Sequence, residues 1–189
     1  MVDVKICGIS SLADYQACQA AGARWIGMVY YPGSPRHLDI AALANLADHI
    51  EKLPSAGPQR VLLTVDQTLA SLRTLITASR PGFLQLHGQE TVDSAITIKA
   101  EFSLPIIKMI PIENRADLTA CALWDGVADW LIFDAKVGIG TQPGGTGHRF
   151  DWTILSHYHG RTPWMLAGGL TIDTVAEALT ISGASAVDV

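Results

Sequence analysis

Eight short apolar runs, separated by longer stretches with helical spacing, constrain this chain more than any other feature. The runs are VKIC (Val4–Cys7), WIGMVY (Trp25–Tyr30), RVLLTV (Arg60–Val65), FLQLHG (Phe83–Gly88), PIIKMI (Pro105–Ile110), DWLIFD (Asp129–Asp134), PWMLAG (Pro163–Gly168) and SAVDV (Ser185–Val189). Between them, apolar residues recur three and four apart. Leu12, Tyr15, Cys18 and Gly22 share one helical face, as do Leu43, Leu46 and Ile50, then Leu69, Leu72 and Ile76, then Val175, Ala178 and Leu179. Strands alternating with helices build a parallel sheet. Eight strands is the number that closes a (β/α)8 barrel, although an open doubly wound sheet uses the same units. No linker or charge block divides the chain, so residues 1–189 read as one domain.

The composition narrows the function. With 189 residues and a formal net charge of −5, the chain lacks the basic balance expected of a nucleic-acid binder. No apolar run approaches the ~20 residues needed to cross a bilayer, and the N-terminus runs straight into a strand with no signal-peptide core. Three cysteines, Cys7, Cys18 and Cys121, form no C-x-x-C pair. Neither a disulfide framework nor a structural zinc site is therefore expected, and a reducing cytoplasm is the natural compartment. His157 and His159 are two apart and cannot share a helical face, so no metal is expected. The default assembly is a monomer.

Chemistry should sit where the strands end, since barrel active sites lie on the C-terminal face. Cys7 ends the first strand and reads as a general base, a nucleophile or a small buried residue; Cys18 and Cys121 read as packing. Asp134 ends the sixth strand. Alternation sends Phe133 and Asp134 to opposite faces, and the sensible arrangement puts the Phe under the helices and the carboxylate at the rim, the alternative being a solvated or capping carboxylate. Arg36 follows the second strand in a loop stiffened by Pro32 and Pro35, where its planar fork suits a carboxylate or phosphate. His87 ends the fourth strand and faces the same rim, either as a hydrogen-bonded structural group or as a catalytic one. Alternation also places Lys5 below Cys7 inside the barrel, where it needs a partner; Asp188 is the candidate.

Two glycine loops point to phosphate. GGTG (Gly144–Gly147), with Gly145 and Thr146, lies in a long loop after the sixth strand. AGGL (Ala167–Leu170), with Gly168 and Gly169, follows the seventh and opens onto the helical stretch TIDTVAEAL. Bare backbone at a helix N-terminus binds anions, and barrels commonly hold phosphate after strands seven and eight.

Taken in order, VKICGI, SPR, QLHG, FDAK, GGTGHRFDW, AGGL and AVDV, from Val4 to Val189, resemble the phosphoribosylanthranilate isomerase family of tryptophan biosynthesis. The resemblance implies a cofactor-free (β/α)8-barrel isomerase that rearranges N-(5-phosphoribosyl)anthranilate to 1-(2-carboxyphenylamino)-1-deoxyribulose 5-phosphate. It matches Cys7 to the general base, Asp134 to the general acid and Arg36 to the clamp on the anthranilate carboxylate. His87, Gly145, Thr146, Gly168, Gly169 and Asp188 complete the expected substrate-binding set. Ring opening needs an acid for the ring oxygen, and the resulting Schiff base acidifies the neighbouring C–H for a thiolate to remove. A free thiol titrates at about 8.5, so a modest lowering would suffice.

The family pattern continues beyond Val189 with a Ser-Ser-Gly turn and a final helix, so the barrel is expected to be incomplete at that helix. A truncated, inactive phosphate-binding fragment of the same family is the alternative. A different phosphosugar barrel enzyme would use metal ligands or lysines instead of Cys7 with Asp134.

Overall fold

The computed structural model describes residues 2–136 and 149–189. Eight strands close in sequence order into a barrel: β1 (Asp3–Cys7), β2 (Trp25–Tyr30), β3 (Gln59–Thr64), β4 (Phe83–Leu86), β5 (Ile106–Ile112), β6 (Trp130–Ala135), β7 (Trp164–Leu166) and β8 (Ala186–Asp188). Every neighbouring pair is parallel. The ring closes where β1 meets β8 in the register Asp3↔Ala186, Val4↔Val187 and Lys5↔Asp188.

Among the described residues five connections are α-helices: α1 (Leu12–Ala20), α2 (Ile40–Glu51), α3 (Leu69–Ser79), α4 (Val92–Phe102) and α5 (Val175–Ser182). The first four begin at Ser11, Asp39, Thr68 and Thr91, whose side-chain oxygens accept the N–H groups of Asp14, Ala42, Ser71 and Ser94. Each cap contributes about 1 kcal/mol by satisfying an otherwise orphan donor. Gly22 is not part of the α1 face. It lies beyond the helix with φ +75°, where glycine reaches the left-handed region without strain. Leu69, at the first turn of α3, is exposed, and Leu72 and Leu75 carry the buried face.

Two further connections, Arg115–Trp124 and Trp152–His157, are 3-10 helices. Their apolar spacing explains this. Leu118, Cys121 and Trp124 are three apart, as are Trp152, Leu155 and Tyr158, and all six pack into or against the core. A strict three-residue period forms one stripe on a helix of three residues per turn.

The apolar residues divide into two layers. The larger fills the space between strands and helices and includes Phe133, whose ring meets Tyr158 at 5.1 Å and Trp164 at 5.2 Å. The smaller lies inside the barrel: Trp25, Val61, Ile107, Met109, Ile132, Met165, Ala167 and Ala186, with Phe83 and Trp130 against them. Its lowest tier comes from the even strands, as alternate-strand layering requires. There Trp25 packs edge-on against Trp130 at 5.1 Å and Phe83 at 6.4 Å. The Arg24 guanidinium covers Trp25 at 4.2 Å and is itself paired with Asp3. This aromatic floor fills the N-terminal end of the barrel, opposite the mouth. The next tier, from the odd strands, holds Val61, Ile107 and Met165 together with one polar side chain, Lys5.

Candidate active site at the barrel mouth

Lys5 has no solvent exposure, and its Nζ donates to Asp188 Oδ1 at 2.8 Å. The pairing expected from strand alternation is thus made, across the seam between the first and last strands. Above it Cys7 ends β1, part-buried. A Cβ placed on Gly27 of β2 would stand 3.0 Å from Cys7 Sγ and 3.2 Å from Lys5 Nζ. Thiol and ammonium therefore come together over bare backbone. Burial pushes the Cys7 thiol above its ordinary value; Lys5 and Arg36 pull it back down and Asp188 pushes it further up. This reverses the modest lowering expected from sequence, because desolvation of the thiolate outweighs the nearby cations.

Arg36 approaches Cys7 from the β2–α2 loop and donates from Nη1 to the Cys7 carbonyl at 3.0 Å. Its side chain crosses Gly8, where φ is +88° and a Cβ would collide with Arg36 Cδ. The glycine after Cys7 is thus required twice, by backbone angle and by the guanidinium lying on it. The loop is braced by His37, whose Nδ1 accepts the Tyr31 N–H at 3.0 Å. His37 is a support that the sequence reading did not single out.

His87 follows β4, 5 % exposed, with Nδ1 2.9 Å from Gln85 Nε2. Burial, reinforced by Lys5, Lys108 and Arg36, lowers its pKa to about 3, so the ring is neutral throughout the physiological range. The loop beyond it is fixed by a buried ion pair also missed from sequence. Lys108 Nζ bonds Glu90 Oε2 at 2.8 Å and the Gly88 carbonyl at 2.7 Å. Glu90 in turn accepts the N–H groups of Gly88 and Asp66. A lysine inside the apolar run PIIKMI was the available signal.

Asp134 turns to the interior as alternation requires, opposite Phe133. Burial raises its carboxyl to about 6, Asp188 adds to the rise and Lys5 opposes it; the Ala135 N–H, donating to Oδ1 at 2.8 Å, also favours the charged form. Gly168 lies against it. There φ is +83°, and a Cβ would stand 2.9 Å from Ala135 N and 3.1 Å from Asp134 Oδ1. The first glycine of AGGL therefore makes room for the acid as well as exposing backbone. Gly169 also has positive φ, and its carbonyl accepts from Arg149 Nε at 3.2 Å. The loop does not open directly onto a helix. α5 starts at Val175, after a turn in which Thr174 Oγ1 accepts the Thr171 N–H. Gly145 and Thr146 lie outside the described residues.

Cys7, Asp134, Arg36 and His87 thus come from four successive or opposing βα junctions to one rim around the Lys5–Asp188 pair. Among the described residues no cluster of three or more His, Cys, Asp or Glu is arranged to hold a metal. None of the described helices is long and apolar enough to cross a membrane.

Residues 4–189 match the family model described as N-(5'-phosphoribosyl)anthranilate (PRA) isomerase. The N-(5'-phosphoribosyl)anthranilate isomerase of Rhodopseudomonas palustris strain BisA53 is 44% identical over 189 residues, spanning 100% of this chain and 85% of the relative. That of Rhodospirillum rubrum is 43% identical, spanning 98% and 86%. The phosphoribosyl anthranilate isomerase of Thermotoga maritima superposes with a TM-score of 0.83 at 28% identity, covering 100% of this chain and 87% of that one. A phosphoribosyl anthranilate isomerase in complex with reduced 1-(o-carboxyphenylamino)-1-deoxyribulose 5-phosphate superposes with a TM-score of 0.82 at 27% identity, with the same coverage.

Proposed function

The chain belongs to the N-(5'-phosphoribosyl)anthranilate isomerase family, and from that premise we propose which of its residues perform the rearrangement. The enzyme converts N-(5-phosphoribosyl)anthranilate to 1-(2-carboxyphenylamino)-1-deoxyribulose 5-phosphate in tryptophan biosynthesis. Asp134 protonates the ribose ring oxygen, the ring opens and a Schiff base forms. The Cys7 thiolate removes the proton from the adjacent carbon, and the enolamine tautomerises to the ketone. The imine nitrogen is the electron sink, so the chemistry calls for no cofactor. Arg36 pairs with the anthranilate carboxylate, while neutral His87 and Asp188 line the sugar side. Gly168 and Gly169, with Gly145 and Thr146, present backbone to the phosphate. We read the enzyme as a cytoplasmic monomer; its three unpaired cysteines support a reducing compartment.

The observation that carries this assignment is a carboxyl raised to about 6 on the same rim as a thiol that shares the Lys5 ammonium. Such a carboxyl retains a usable protonated fraction near neutrality. Purified protein should quench the anthranilate-type fluorescence of freshly made substrate catalytically. Absence of turnover would overturn the assignment.

The pH profile follows from the two ionisations. The productive form has Asp134 protonated and Cys7 ionised. Below about 6 the acid is fully protonated and the thiolate fraction grows with pH, so kcat/KM rises. Above that, growing thiolate is cancelled by vanishing acid and the rate is flat. Once Cys7 is ionised, at a pH above the ordinary thiol range, only the loss of acid remains and the rate falls. The expected profile is a broad plateau whose limbs belong to the coupled pair. A narrow bell that falls again below pH 8 would contradict it.

Arg36→Met should act chiefly on binding. Loss of a charge-assisted bond costs about 1.5–3 kcal/mol, or roughly 10–100-fold in KM. An unchanged KM would remove Arg36 from the site.

A further inference from the structure

Lys5 is an interior group that the mechanism above leaves idle. It is fully buried, and a buried ion pair is a poor way to stabilise a core, since desolvating both charges offsets their attraction. An apolar side chain would continue the tier of Val61, Ile107 and Met165. The ammonium must therefore be explained by what surrounds it. Asp188 holds it from β8 at 2.8 Å. On the opposite side, the missing Cβ of Gly27 leaves an opening that both Lys5 Nζ and Cys7 Sγ border. A side chain at that position would crowd both the thiol and the ammonium.

We propose that Lys5, pinned by Asp188 beneath the thiol, is a positioning residue that serves as counter-ion to the Cys7 thiolate. The inference rests on the reading of Cys7 as the base and adds what makes it one. When the thiol ionises, its proton passes to solvent, Lys5 stays protonated, and the negative charge on sulfur faces an ammonium rather than a dry wall. The charged groups around Cys7 are Lys5 on its own strand, Asp188 on β8 and Arg36 from the loop after β2. Lys5 also faces His87 and Asp134. Asp188 has two opposed effects: it fixes the ammonium in place, and its own charge works against the thiolate.

This opposition gives the test. The rate of Cys7 alkylation by iodoacetamide, followed against pH in substrate-free enzyme, titrates the thiol without any turnover. Cys18 and Cys121 are buried, and residual labelling in Cys7→Ala is subtracted. Lys5→Met should move the titration to higher pH and slow alkylation at pH 8 by about tenfold or more. Asp188→Asn keeps an oxygen that accepts from Lys5 Nζ and so retains the pin, while the opposing charge is lost; it should therefore move the titration to lower pH and speed alkylation. General loosening of the barrel would shift both variants the same way. A Lys5→Met titration that matches wild type, or shifts of one sign in both variants, would overturn the proposal. If Lys5→Met does not fold, Asp188→Asn decides alone, and slower or unchanged alkylation counts against the proposal. Failure of the underlying reading looks different: Cys7→Ala would then still turn over, whatever the alkylation titration showed.

Discussion

Cys7→Ala is expected to abolish isomerisation while leaving the barrel folded. The thiol ends a strand and is only part-buried. Its backbone N–H bonds the Val189 carbonyl, an interaction that alanine keeps. Removing Sγ leaves a small gap at the Gly27 opening, next to groups already held by Asp188 and Arg36. The chemical loss is far larger. Proton abstraction from carbon by a positioned base contributes roughly 10²–10⁴-fold, and nothing else described at the mouth can replace it. His87 is neutral, but with a pKa of about 3 it is too weak a base. Cys7→Ser should be nearly as inactive, because a hydroxyl ionises far less readily than a thiol. Thermal melting and near-ultraviolet circular dichroism should match wild type in both variants, with kcat at background. Wild-type kcat in Cys7→Ala would remove the base from the mechanism.

Asp134→Asn is expected to lower kcat by about 10²–10⁴-fold with little change in KM. Asparagine is nearly isosteric, so it still fits against Gly168 and still accepts the Ala135 N–H. What it loses is the transferable proton for the ring oxygen. Stability should be unaffected or slightly increased, since a group that resists ionisation through burial is replaced by a neutral one. Single-turnover measurements should place the defect before the enolamine. Retention of more than a tenth of wild-type kcat would show that protonation comes from elsewhere.

The barrel was legible because both its periods are local. Trp25–Tyr30 has the same limits in sequence and structure, and alternation alone paired Lys5 with Asp188 across the closing seam. Strand ends were less clear: His87 and Gly88 extend the apolar run of β4, yet they leave the ladder to form the rim. The 3-10 connections were not singled out, because three-residue spacing over so few turns is hard to tell from an α-helical pattern. The direction of the Cys7 shift was not legible, because it balances burial against cations supplied by β1 and a distant loop. Nor was the role of Gly168 beside Asp134, since β7 brings them together from positions far apart in the chain. The support from Glu90 was hidden likewise: Lys108 stands out inside its apolar run, but Glu90 looks like an ordinary charge until the fold buries the two together.

The Lys5–Asp188 bond joins positions 183 residues apart. Contacts of such high sequence separation carry the greatest loop-closure entropy, and they raise the contact order that slows folding. The bond exists only when the first and last strands have met. A chain with seven strands zipped and the seam open has its floor, its glycine loops and its thiol, but lacks the paired ammonium beneath that thiol. Neutralisation of the interior ammonium is therefore tied to closure of the ring: the charge beneath the thiol is balanced only when the two ends of the chain have met.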